Sequence, residues 1–595
     1  MKDKKDIHSD DESISSSLSE RSSIRYLPDH TIEPSVSGTN NLQSIKACRT
    51  KSLISRTSSL IDAIRDDNQI TVQHDKDIIE PAPFYTDDEK LQRKESKKLS
   101  CQETNLEKVP EEIELERSST DKTAIDEDDG EFAAQDILDR PPDGTFWGWT
   151  AAICVCSANC FSWGGNSAFG VFLSYYLNSN YFPGATMEDF ALIGGLALGV
   201  SFMLCNFSVV LVKRYNLKVI MSIGAVIQFI CYWLASIATT INQLIIFQGF
   251  LMAIGYTMIA GPSFIIIPSW FLKRRSVASG IGVSGAGIAG VVFSRSSQKI
   301  MDVTGSHKWA LRMIALVSGF MLFITIILIK PRKPFNSKDT SLIKEFKKTY
   351  NFKIFFQKPI LYVTAWNFIY AFSYTIILFS LSSFGTSIGL TSKQGSIVVT
   401  VQSVAQAVGR PALGYISDKC GRANSSIFFT FFIGLITIVF WVFITTYGQL
   451  IAFGFISGIF LGVNWVNFTP LAADVVGGGE DLSSAVAFMT FICGIPYVVS
   501  ELIGLKLVRS NMDKPYLYCQ ILVALSCAVS GAFLLPFREW KIKRMLTARR
   551  KNIVNHLEAG EELSEKDEKR LKRYDTLLKE NPMGYIMRML YPIKA

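Results

Sequence analysis

Histidine is scarce in this sequence, and so are the residue patterns that enzymes use for catalysis. Only five of the 595 residues are histidine, and none of them falls within an apolar run. The eleven cysteines lack the spacing of metal ligands or of disulfide pairs. Most of them stand inside apolar runs, where cysteine behaves as a small hydrophobic residue. The sequence therefore predicts no metal, no cofactor and no enzymatic activity.

Charge is the second scarce property, and it is unevenly distributed. Charged residues make up 19% of the chain, against 48% hydrophobic residues. They concentrate in residues 1–140 and 538–595, whereas residues 147–537 are almost continuously apolar. The net charge of +8 arises with basic residues placed beside apolar runs, as in membrane proteins, so we predict no nucleic-acid partner. The first residues, MKDKKDIHSDDE, lack the apolar segment of a signal peptide.

Apolar runs long enough to cross a bilayer recur through the middle of the chain. A helix needs roughly 20 apolar residues to cross the hydrocarbon core. Twelve runs meet this requirement, and the basic segment 331–358 separates them into two sets of six. The runs are 148–177, 189–212, 217–238, 242–268, 276–296, 310–330, 359–385, 395–416, 425–446, 449–472, 483–507 and 515–537. We predict an all-α integral membrane protein with twelve transmembrane helices in two six-helix bundles.

The same boundaries divide the chain into five parts. Residues 1–140 are predicted to be a disordered cytosolic tail, and residues 141–330 and 359–537 are the two bundles. Residues 331–358 are a cytosolic central loop, and residues 538–595 are a cytosolic tail with an amphipathic helix. Lysine and arginine are enriched in alternate loops, which predicts that both termini are cytosolic. The plasma membrane is the expected location, with the vacuolar membrane as the alternative.

Two features of the tails predict contacts with partners. Arg56 precedes Ser59 by three residues, a spacing that suits a protein kinase, although a solvated tail without kinase sites is the alternative. Near the other end, apolar side chains at helical spacing form a stripe of Leu571, Tyr574, Leu577 and Leu578. Residues 584–595 are apolar with basic interruptions, a pattern that suits a membrane surface or a docking site for a partner equally well.

One polar segment interrupts the apolar middle of the chain, between the eighth and ninth runs. Residues 409–422 read GRPALGYISDKCGR. The spacing resembles the signature loop of the major facilitator superfamily, G-x-x-x-D-[RK]-x-G-R. The matching residues are Gly414, Asp418, Lys419, Gly421 and Arg422. The resemblance implies the two-bundle fold of that superfamily and a conformational latch at this loop, with Asp418 near the positive end of the fifth helix, around Ser276.

The entry to the first run narrows the resemblance. The residues PPDGTFWGW at 141–149 are similar to the P-D-G-G-x-G-W entry of the monocarboxylate transporter family. The triplet GRP at 409–411 is also similar to that family, which has a fungal monocarboxylate-permease-like branch. Proton-coupled members carry an aspartate and a lysine where this sequence has Gln406 and Asn166. The resemblance therefore implies alternating access and a small organic solute, carboxylate or riboflavin-like, without standard lactate–proton symport.

Polar and aromatic residues inside the apolar runs are candidates for a substrate cavity. Gln402, Gln406 and Arg410 recur at four-residue spacing and share one face of the eighth helix. Because a charged residue in a span costs about 2.5–3.5 kcal/mol on insertion scales, we expect Arg410 to face the cavity or to extend to the cytosolic interface. The other candidates are Asn159, Trp163, Asn166, Tyr370, Tyr374, Asn464 and Asn467. An interhelical hydrogen bond or core packing is the alternative role for each of them.

Glu501 is a further charged residue within an apolar run. A carboxylate in apolar surroundings can hold a proton, so Glu501 is a candidate for ion coupling, with a structural hydrogen bond to a neighbouring helix as the alternative. These features predict a secondary transporter of a small organic solute, embedded in the lipid bilayer and working by alternating access. A non-transporting sensor or scaffold on the same fold is the alternative function.

Overall fold

The computed structural model describes Asp67 and residues 141–332, 342–509, 511–558 and 564–595. Within these ranges the ordered elements are helices, and most of them are long enough to cross a membrane. The predicted N-terminal tail, with its Arg56–Ser59 spacing, lies outside the described residues apart from Asp67.

Twelve long helices follow one another between residues 146 and 558, in two sets of six. The first set is α1 (Phe146–Ser167, extended by Phe169–Asn178), α2 (Met187–Tyr215), α3 (Leu217–Ile237), α4 (Ile241–Trp270), α5 (Arg275–Thr304) and α6 (His307–Leu328). The second set is α7 (Lys358–Ser387), α8 (Ser392–Cys420), α9 (Arg422–Phe443), α10 (Tyr447–Val476), α11 (Gly479–Leu507) and α12 (Leu517–Glu558). Each helix overlaps one predicted run, so the predicted count and fold class are confirmed.

Polarity distinguishes two of these helices from the rest. Ten of the described helices are long and apolar enough to cross a membrane by composition alone, and α1 and α8 complete the twelve. α1 contains several serines, asparagines and glycines and is interrupted at Ala168. α8 contains Gln402, Gln406 and Arg410, all of which are buried. The polar side chains of α8 therefore contact other helices and not lipid, as polar groups in a membrane require.

The outward faces of the bundles are apolar. Large hydrophobic side chains are exposed on α6, α9 and α12, among them Phe320, Phe323, Leu435 and Leu525. Extended exposed apolar surface is unfavourable in water and marks contact with another apolar phase. The bundles therefore present a lipid-facing surface, with the polar residues of the helices packed inside.

Four helices begin with the same N-terminal capping motif, at the end of the bundles opposite Asp418. α2, α4, α8 and α10 each start at a threonine whose hydroxyl accepts a hydrogen bond from the backbone three residues later. The side chain of that later residue accepts from the threonine backbone in return, which completes a capping box. The pairs are Thr186 with Asp189, Thr240 with Gln243, Thr391 with Gln394, and Thr446 with Gln449. Local sequence therefore follows the repeat of the two halves, since α8 and α10 are the second-half counterparts of α2 and α4.

The two bundles meet along two seams, where α5 packs against α8 and α2 packs against α11. Glycine permits this close approach. A Cβ atom on Gly280 would overlap the carbonyl of Arg410, and one on Gly195 would overlap the carbonyl of Val498. Small residues let helix backbones pack closely in lipid, where no hydrophobic effect drives helices together.

The last long helix extends beyond the last predicted apolar run, which ends at residue 537. α12 continues without interruption past residue 537 and ends at Glu558. Two further helices follow, α13 (Glu565–Leu577) and α14 (Pro582–Leu590). The predicted apolar stripe is the packing face of α13, since Tyr574 and Leu577 are buried. Between the bundles, the described part of the central segment forms two short helices, Leu342–Thr349 and Phe352–Phe355.

One histidine also differs from the prediction. His307 is the first residue of α6, and it is buried. Its ring centroid lies 5.4, 5.1 and 4.6 Å from those of Tyr175, Tyr176 and Tyr181. The sixth apolar run begins only at residue 310, so hydropathy alone leaves this histidine outside the helix.

Candidate substrate site between the two bundles

Arg410 extends from α8 across the seam to the first bundle. Its Nη1 atom donates to the carbonyl of Val283 on α5 at 2.5 Å. Its Nη2 atom donates to Oε1 of Gln406 at 2.6 Å and to the hydroxyl of Tyr374 at 3.2 Å. Arg410 is only 3% exposed, so it does not extend to the membrane interface. The guanidinium therefore lies between the bundles, bound to three neutral oxygen atoms.

Of the two glutamines in the predicted stripe on α8, only Gln406 contacts Arg410. Gln406 binds the guanidinium of Arg410 directly. Gln402, one turn earlier, is fully buried, and neither atom of its amide group has a hydrogen-bond partner within the described residues. Buried amide groups are normally hydrogen-bonded. Gln402 is therefore a candidate ligand for a solute that enters between the bundles.

Aromatic rings from both bundles lie around Tyr374. The Tyr374 ring centroid is 5.7 Å from that of Trp465 and 6.3 Å from that of Tyr497. Trp465 and Tyr497 stack on each other at 5.8 Å, with 24° between their planes. From the first bundle, Phe202 lies 5.0 Å from Trp465, and Trp163 lies 6.2 Å from Phe202. The sequence predicts only Trp163 and Tyr374, because nothing local distinguishes the other three rings from core residues.

Two further predicted residues form hydrogen bonds beside these rings. Nδ2 of Asn464 donates to Oδ1 of Asn367 at 3.1 Å and to the hydroxyl of Tyr497 at 3.2 Å. Asn367 is absent from the predicted set, although a lone amide within an apolar run is the same signal that identifies Asn464. Tyr370 is fully buried, and its hydroxyl donates to the carbonyl of Leu461 at 3.0 Å. Tyr370 therefore makes the interhelical bond that was its alternative role.

The remaining predicted residues lie away from Arg410 or make other bonds. Asn159 is buried and donates to two backbone carbonyls, one of them on α5. Asn467 donates to the hydroxyls of Ser417 and Ser426, at 2.9 Å each, about two turns from Arg410 along α8. Asn166 is half-buried near the end of the first segment of α1. The structure thus brings Gln406, Tyr374 and the rings to Arg410, but not the three asparagines.

A cavity of about 40 Å³ lies between α1, α4, α5 and α10. Its lining includes Asn159, Trp163, Ser263, Val283 and Trp465. Val283 also accepts the hydrogen bond from Arg410, so the cavity and the arginine share one wall. Pockets for drug-sized ligands measure roughly 300–1,000 Å³. The cavity is therefore too small for an organic solute in this conformation.

At the far end of α8, the signature loop connects the two bundles. Asp418 accepts hydrogen bonds from the backbone amides of Ser276 at 3.3 Å and Val277 at 2.9 Å, in the first turn of α5. The predicted position of Asp418 at the positive end of the fifth helix is confirmed. Arg422 binds the same carboxylate at 3.2 Å and donates to the carbonyl of Leu272 at 3.0 Å. The loop of the second bundle thus holds the chain that enters α5 of the first.

Two residues outside the signature extend this network. Arg422 and Lys541 each bind one oxygen of the Asp474 carboxylate at 2.6 Å. Asp474 lies near the end of α10, and Lys541 lies in the part of α12 beyond the predicted span. The signal for Asp474 was a lone carboxylate at the end of an apolar run, whereas Lys541 had no local signal. Lys419 is exposed instead, with Nζ 5.6 Å from the centre of the Tyr415 ring.

The two glycines of the signature serve different geometric needs. Gly414 packs on the backbone of α5, where a Cβ atom would overlap the carbonyl of Ser276. Gly421 has φ of 99° where α8 turns into α9, a backbone conformation that other residues rarely adopt. A Cβ atom at Gly421 would also meet the backbone of Ala595. A side chain is therefore excluded at Gly414 by close helix packing and at Gly421 by the backbone conformation as well.

Glu501 lies on the other seam, between α11 and α2. It is half-buried, and its Oε2 atom is 3.8 Å from the position that a Cβ atom on Gly194 would take. Phe379 of α7 approaches the same position at 3.9 Å. The carboxylate is therefore placed where the two bundles meet, on the opposite side of the molecule from Asp418.

The sequence of this chain matches one protein family over most of the membrane-spanning region. The model of the Major Facilitator Superfamily matches residues 155–391 and 363–555, which span most of both bundles. The chain belongs to the Major Facilitator Superfamily.

Two curated relatives of this superfamily member come from Saccharomyces cerevisiae. The uncharacterized transporter ESBP6 is 32% identical over 475 residues, which are 77% of this chain and 70% of the relative. The probable transporter MCH2 is 28% identical over 414 residues, which are 69% of this chain and 84% of the relative. Among solved structures, the human organic anion transporter MFSD10 (TETRAN) matches 66% of this chain and 100% of its own, with a TM-score of 0.50 at 10% identity. This last likeness concerns the fold alone.

This member of the Major Facilitator Superfamily is a multi-pass membrane transporter that works by alternating access. Both yeast relatives are named as transporters. Their names favour transport over the alternative of a sensor or scaffold. Both seams are packed in the conformation described, and the cavity between the bundles measures about 40 Å³. The bundles must therefore separate at one end before a solute can enter.

Proposed function

We propose that this transporter carries a small organic anion with an apolar or aromatic body, bound by Arg410. The observation that supports the proposal is a buried guanidinium whose hydrogen-bond partners Val283, Gln406 and Tyr374 are all neutral. A buried charge without a counter-charge is costly. A carboxylate on the solute would supply that charge and accept two parallel hydrogen bonds from the guanidinium. This reading agrees with the resemblance of the GRP triplet to the monocarboxylate transporter family.

The aromatic rings support the second part of the proposal. Trp465 and Tyr497 are stacked beside Tyr374, and Phe202 adds a ring from the first bundle. Flat aromatic surfaces bind apolar or aromatic solutes through stacking and burial. A carboxylate is the favoured solute because Arg410 provides the charge. A riboflavin-like ring compound is the second candidate, because the aromatic side chains could bind it by stacking without the arginine.

We also propose that transport does not depend strongly on protons. Gln406 occupies the position beside Arg410 at which proton-coupled relatives are implied to carry an aspartate, and an amide cannot take up a proton at physiological pH. Glu501, on the seam between α2 and α11, is the candidate carboxylate for coupling. A structural hydrogen bond to a neighbouring helix is the alternative role of Glu501.

The signature loop serves as the conformational latch in this proposal. Asp418, held by α5 and by Arg422, joins the bundles at one end, and these bonds must break when that end opens. Hydrogen bonds to charged groups contribute about 1.5–3 kcal/mol each, which suits a contact that holds one state without trapping it. Gly414 keeps the helices close enough for the contact. Gly421 forms the turn, and Lys419 flanks it.

The orientation and location of the protein remain proposals. Because basic residues flank the signature-loop end of the helices, we propose that this end and both termini face the cytosol. The plasma membrane is the expected location, and the vacuolar membrane is the alternative. We expect no enzymatic activity, and the division of the chain at residues 140, 330, 358 and 537 stays a prediction.

Transport assays with an arginine variant test the proposal. Cells that lack their own carriers would express the parent chain, Arg410→Ala, Arg410→Lys, or Arg312→Ala as a matched control. Arg312 is an arginine of α6 that lies over the rings of Trp233 and Trp309, away from the substrate site. Uptake and release of labelled monocarboxylates and of riboflavin would be measured. We expect a loss of carboxylate transport of more than tenfold in Arg410→Ala, partial activity in Arg410→Lys, and parental rates in Arg312→Ala.

Two outcomes would contradict the proposal. If Arg410→Ala transports carboxylates at the parental rate while riboflavin transport is measurable, the arginine is not the anion ligand and the second candidate stands. If no solute of the panel moves with the parent chain, yet removal of a tail changes a cellular readout, the chain is a sensor. For coupling, pronounced alkalinisation of the medium during uptake, lost in Glu501→Gln, would show that protons are carried.

A further inference from the structure

A second anion site lies on the C-terminal segment, far from Arg410. Its donors are Arg573 and Tyr574 of α13 and Tyr591, which follows α14. The fully buried side chain of Asp67 occupies this site. Oδ1 of Asp67 lies 3.0 Å from Nη2 of Arg573 and 2.8 Å from the hydroxyl of Tyr574. The hydroxyl of Tyr591 donates to Oδ2, and Arg549 of α12 donates to the Asp67 carbonyl at 3.2 Å.

The chemistry of this site suits a carboxylate. Burial, together with the charge of Asp67, raises the pKa of Tyr574 and of Tyr591, so both hydroxyls stay protonated and can donate. Both oxygens of the carboxylate therefore receive a hydrogen bond, and one of them also meets a guanidinium. Hydrogen bonds to ionised groups are about twice as strong as neutral ones. The contact joins residues 482 positions or more apart in the sequence.

The other side of the same segment lies on the second bundle, next to the signature loop. Three of its carbonyl groups accept hydrogen bonds there: Tyr591 from Arg538 at 2.5 Å, Ile593 from Asn424 at 2.8 Å, and Ala595 from the amide of Ala423 at 3.0 Å. Ala423 and Asn424 directly follow Arg422 of the latch. The backbone of Ala595 also fills the space beside Gly421. Residues 591–595, which we call the strap, thus cover the turn from α8 to α9.

Tyr591 connects the anion site to the strap. Its hydroxyl binds Asp67, while its carbonyl binds Arg538 of α12. We propose that the C-terminal segment is a docking site for Asp67 of the N-terminal tail, and that this docking holds the strap on the latch loop. Release of Asp67 would remove the hydrogen bond of the Tyr591 side chain and leave Tyr591 held by its backbone alone. The strap would then leave the turn more often, and the turn would be freer to move during the transport cycle.

A competing anchor makes this proposal testable. Arg588 of α14 forms a buried ion pair with Glu539 of α12 at 2.5 Å and donates to the carbonyl of Leu577. If this ion pair alone held the strap, removal of Asp67 would change nothing. The proposal concerns contacts between parts of the chain, so it can fail or hold independently of which solute is carried.

Amide hydrogen exchange on the full-length protein in lipid nanodiscs would test the proposal. The Ala423 amide donates to Ala595, so its exchange rate reports directly on the strap. We expect exchange at Ala423 and in residues 591–595 to be at least tenfold faster in Asp67→Asn and in Tyr591→Phe than in the parent. Asp66→Asn, the same change one residue earlier, is the matched control and should exchange like the parent.

The outcomes separate the two anchors. Parental exchange in Asp67→Asn and Tyr591→Phe, together with fast exchange in Glu539→Gln, would overturn the proposal in favour of the ion pair. Equal acceleration in Asp66→Asn and Asp67→Asn would also overturn it, because the effect would not depend on the carboxylate in the site. Tyr591→Phe retains the ring and the strap carbonyl, so its result stands even if a variant at Asp67 accumulates poorly.

Discussion

The two halves of the molecule make the same turn with different chemistry. Between α2 and α3 the turn residue is Asn216, with φ of 91° and ψ of 139°. Between α8 and α9 it is Gly421, with φ of 99° and ψ of 133°. The side chain of Asn216 caps the helix that follows it, α3, by accepting a hydrogen bond from the amide of Lys218 at 3.3 Å. Gly421 has no side chain, and the backbone of Ala595 occupies that space. The repeat therefore preserves backbone geometry while the groups that stabilise it have changed.

The charges differ more than the backbone does. The turn of the second half carries Asp418 and Arg422, which bind across the seam to the start of α5. In the first half, Asp143 accepts from the amides of Leu272 and Lys273 at 3.0 and 2.7 Å, within one bundle. Asp143 stands before α1, far from the turn between α2 and α3. A carboxylate thus caps the chain entering α5 from each half, but only Asp418 joins the two bundles.

The second seam has a neutral contact where the first has charges. Nδ2 of Asn206 on α2 donates to the carbonyl of Ala487 on α11, and its Oδ1 accepts from Thr490 at 3.5 Å. Counted back from the turn residues Asn216 and Gly421, Asn206 corresponds to Pro411 of α8, the residue after Arg410. The difference suggests that the α5–α8 seam is held by bonds that depend on charge, while the α2–α11 seam relies on packing and a neutral amide.

The largest effect on this comparison is expected from Arg422→Gln. Arg422 binds both Asp418 and Asp474, so its loss leaves two partly buried carboxylates with fewer partners. Removal of one partner from a buried ion pair costs about 3–5 kcal/mol. We expect a clear fall in the thermal midpoint of the purified protein. Arg214→Gln, near the turn of the first half, is the control, and a similar fall there would remove the contrast between the halves.

A smaller effect is expected from changes at the two seams. Asp418→Asn weakens charge-assisted bonds worth about 1.5–3 kcal/mol, whereas Asn206→Ala removes a neutral contact worth about 1 kcal/mol. Both would be measured by alkylation of a cysteine introduced into the seam at the Asp418 end. We expect faster alkylation in Asp418→Asn than in Asn206→Ala. The reverse order would show that the α2–α11 seam controls this end.

Close packing at the signature loop gives a third comparison. A Cβ atom on Gly414 would overlap the backbone of Ser276, whereas one on Gly170 would meet no atom within 4 Å. Overpacking a tight contact costs about 1–3 kcal/mol. We expect Gly414→Ala to lower stability and transport, and Gly170→Ala to leave both unchanged. Equal stability of the two variants, from thermal unfolding, would show that the seam can widen without cost.

The last comparison concerns the two turns, and the smallest effect of all is expected at Asn216. Gly421→Ala places a side chain at φ of 99° and against Ala595, and strained backbone of this kind costs about 1–3 kcal/mol. Asn216→Gly relieves the same backbone conformation but removes the cap, so its net effect should lie within about 0.5 kcal/mol. Thermal unfolding of both variants would measure the difference. A larger loss for Asn216→Gly would mean that the cap, and not the backbone angle, stabilises the turn.

Local sequence predicted the parts of this fold that depend on neighbours along the chain. Hydropathy identified twelve spans, and the GRPALGYISDKCGR segment indicated both the turn and the position of Asp418 at α5. Predictions at single positions within helices were less complete. Tyr370, Asn159 and Asn467 make interhelical bonds. Composition shows that such a residue is polar, but it does not show which way its helix is rotated.

The sequence by itself therefore determined the membrane class, the number of helices and the residues of the signature loop. Only the tertiary structure decided which atoms meet between distant helices. It placed Val283 and Tyr374 at Arg410, Asp474 and Lys541 at Arg422, and Asp67 at the C-terminal segment. The physical reason is that hydropathy and turn chemistry act over a few residues, whereas these contacts depend on the rotation and crossing of helices that are far apart in the chain.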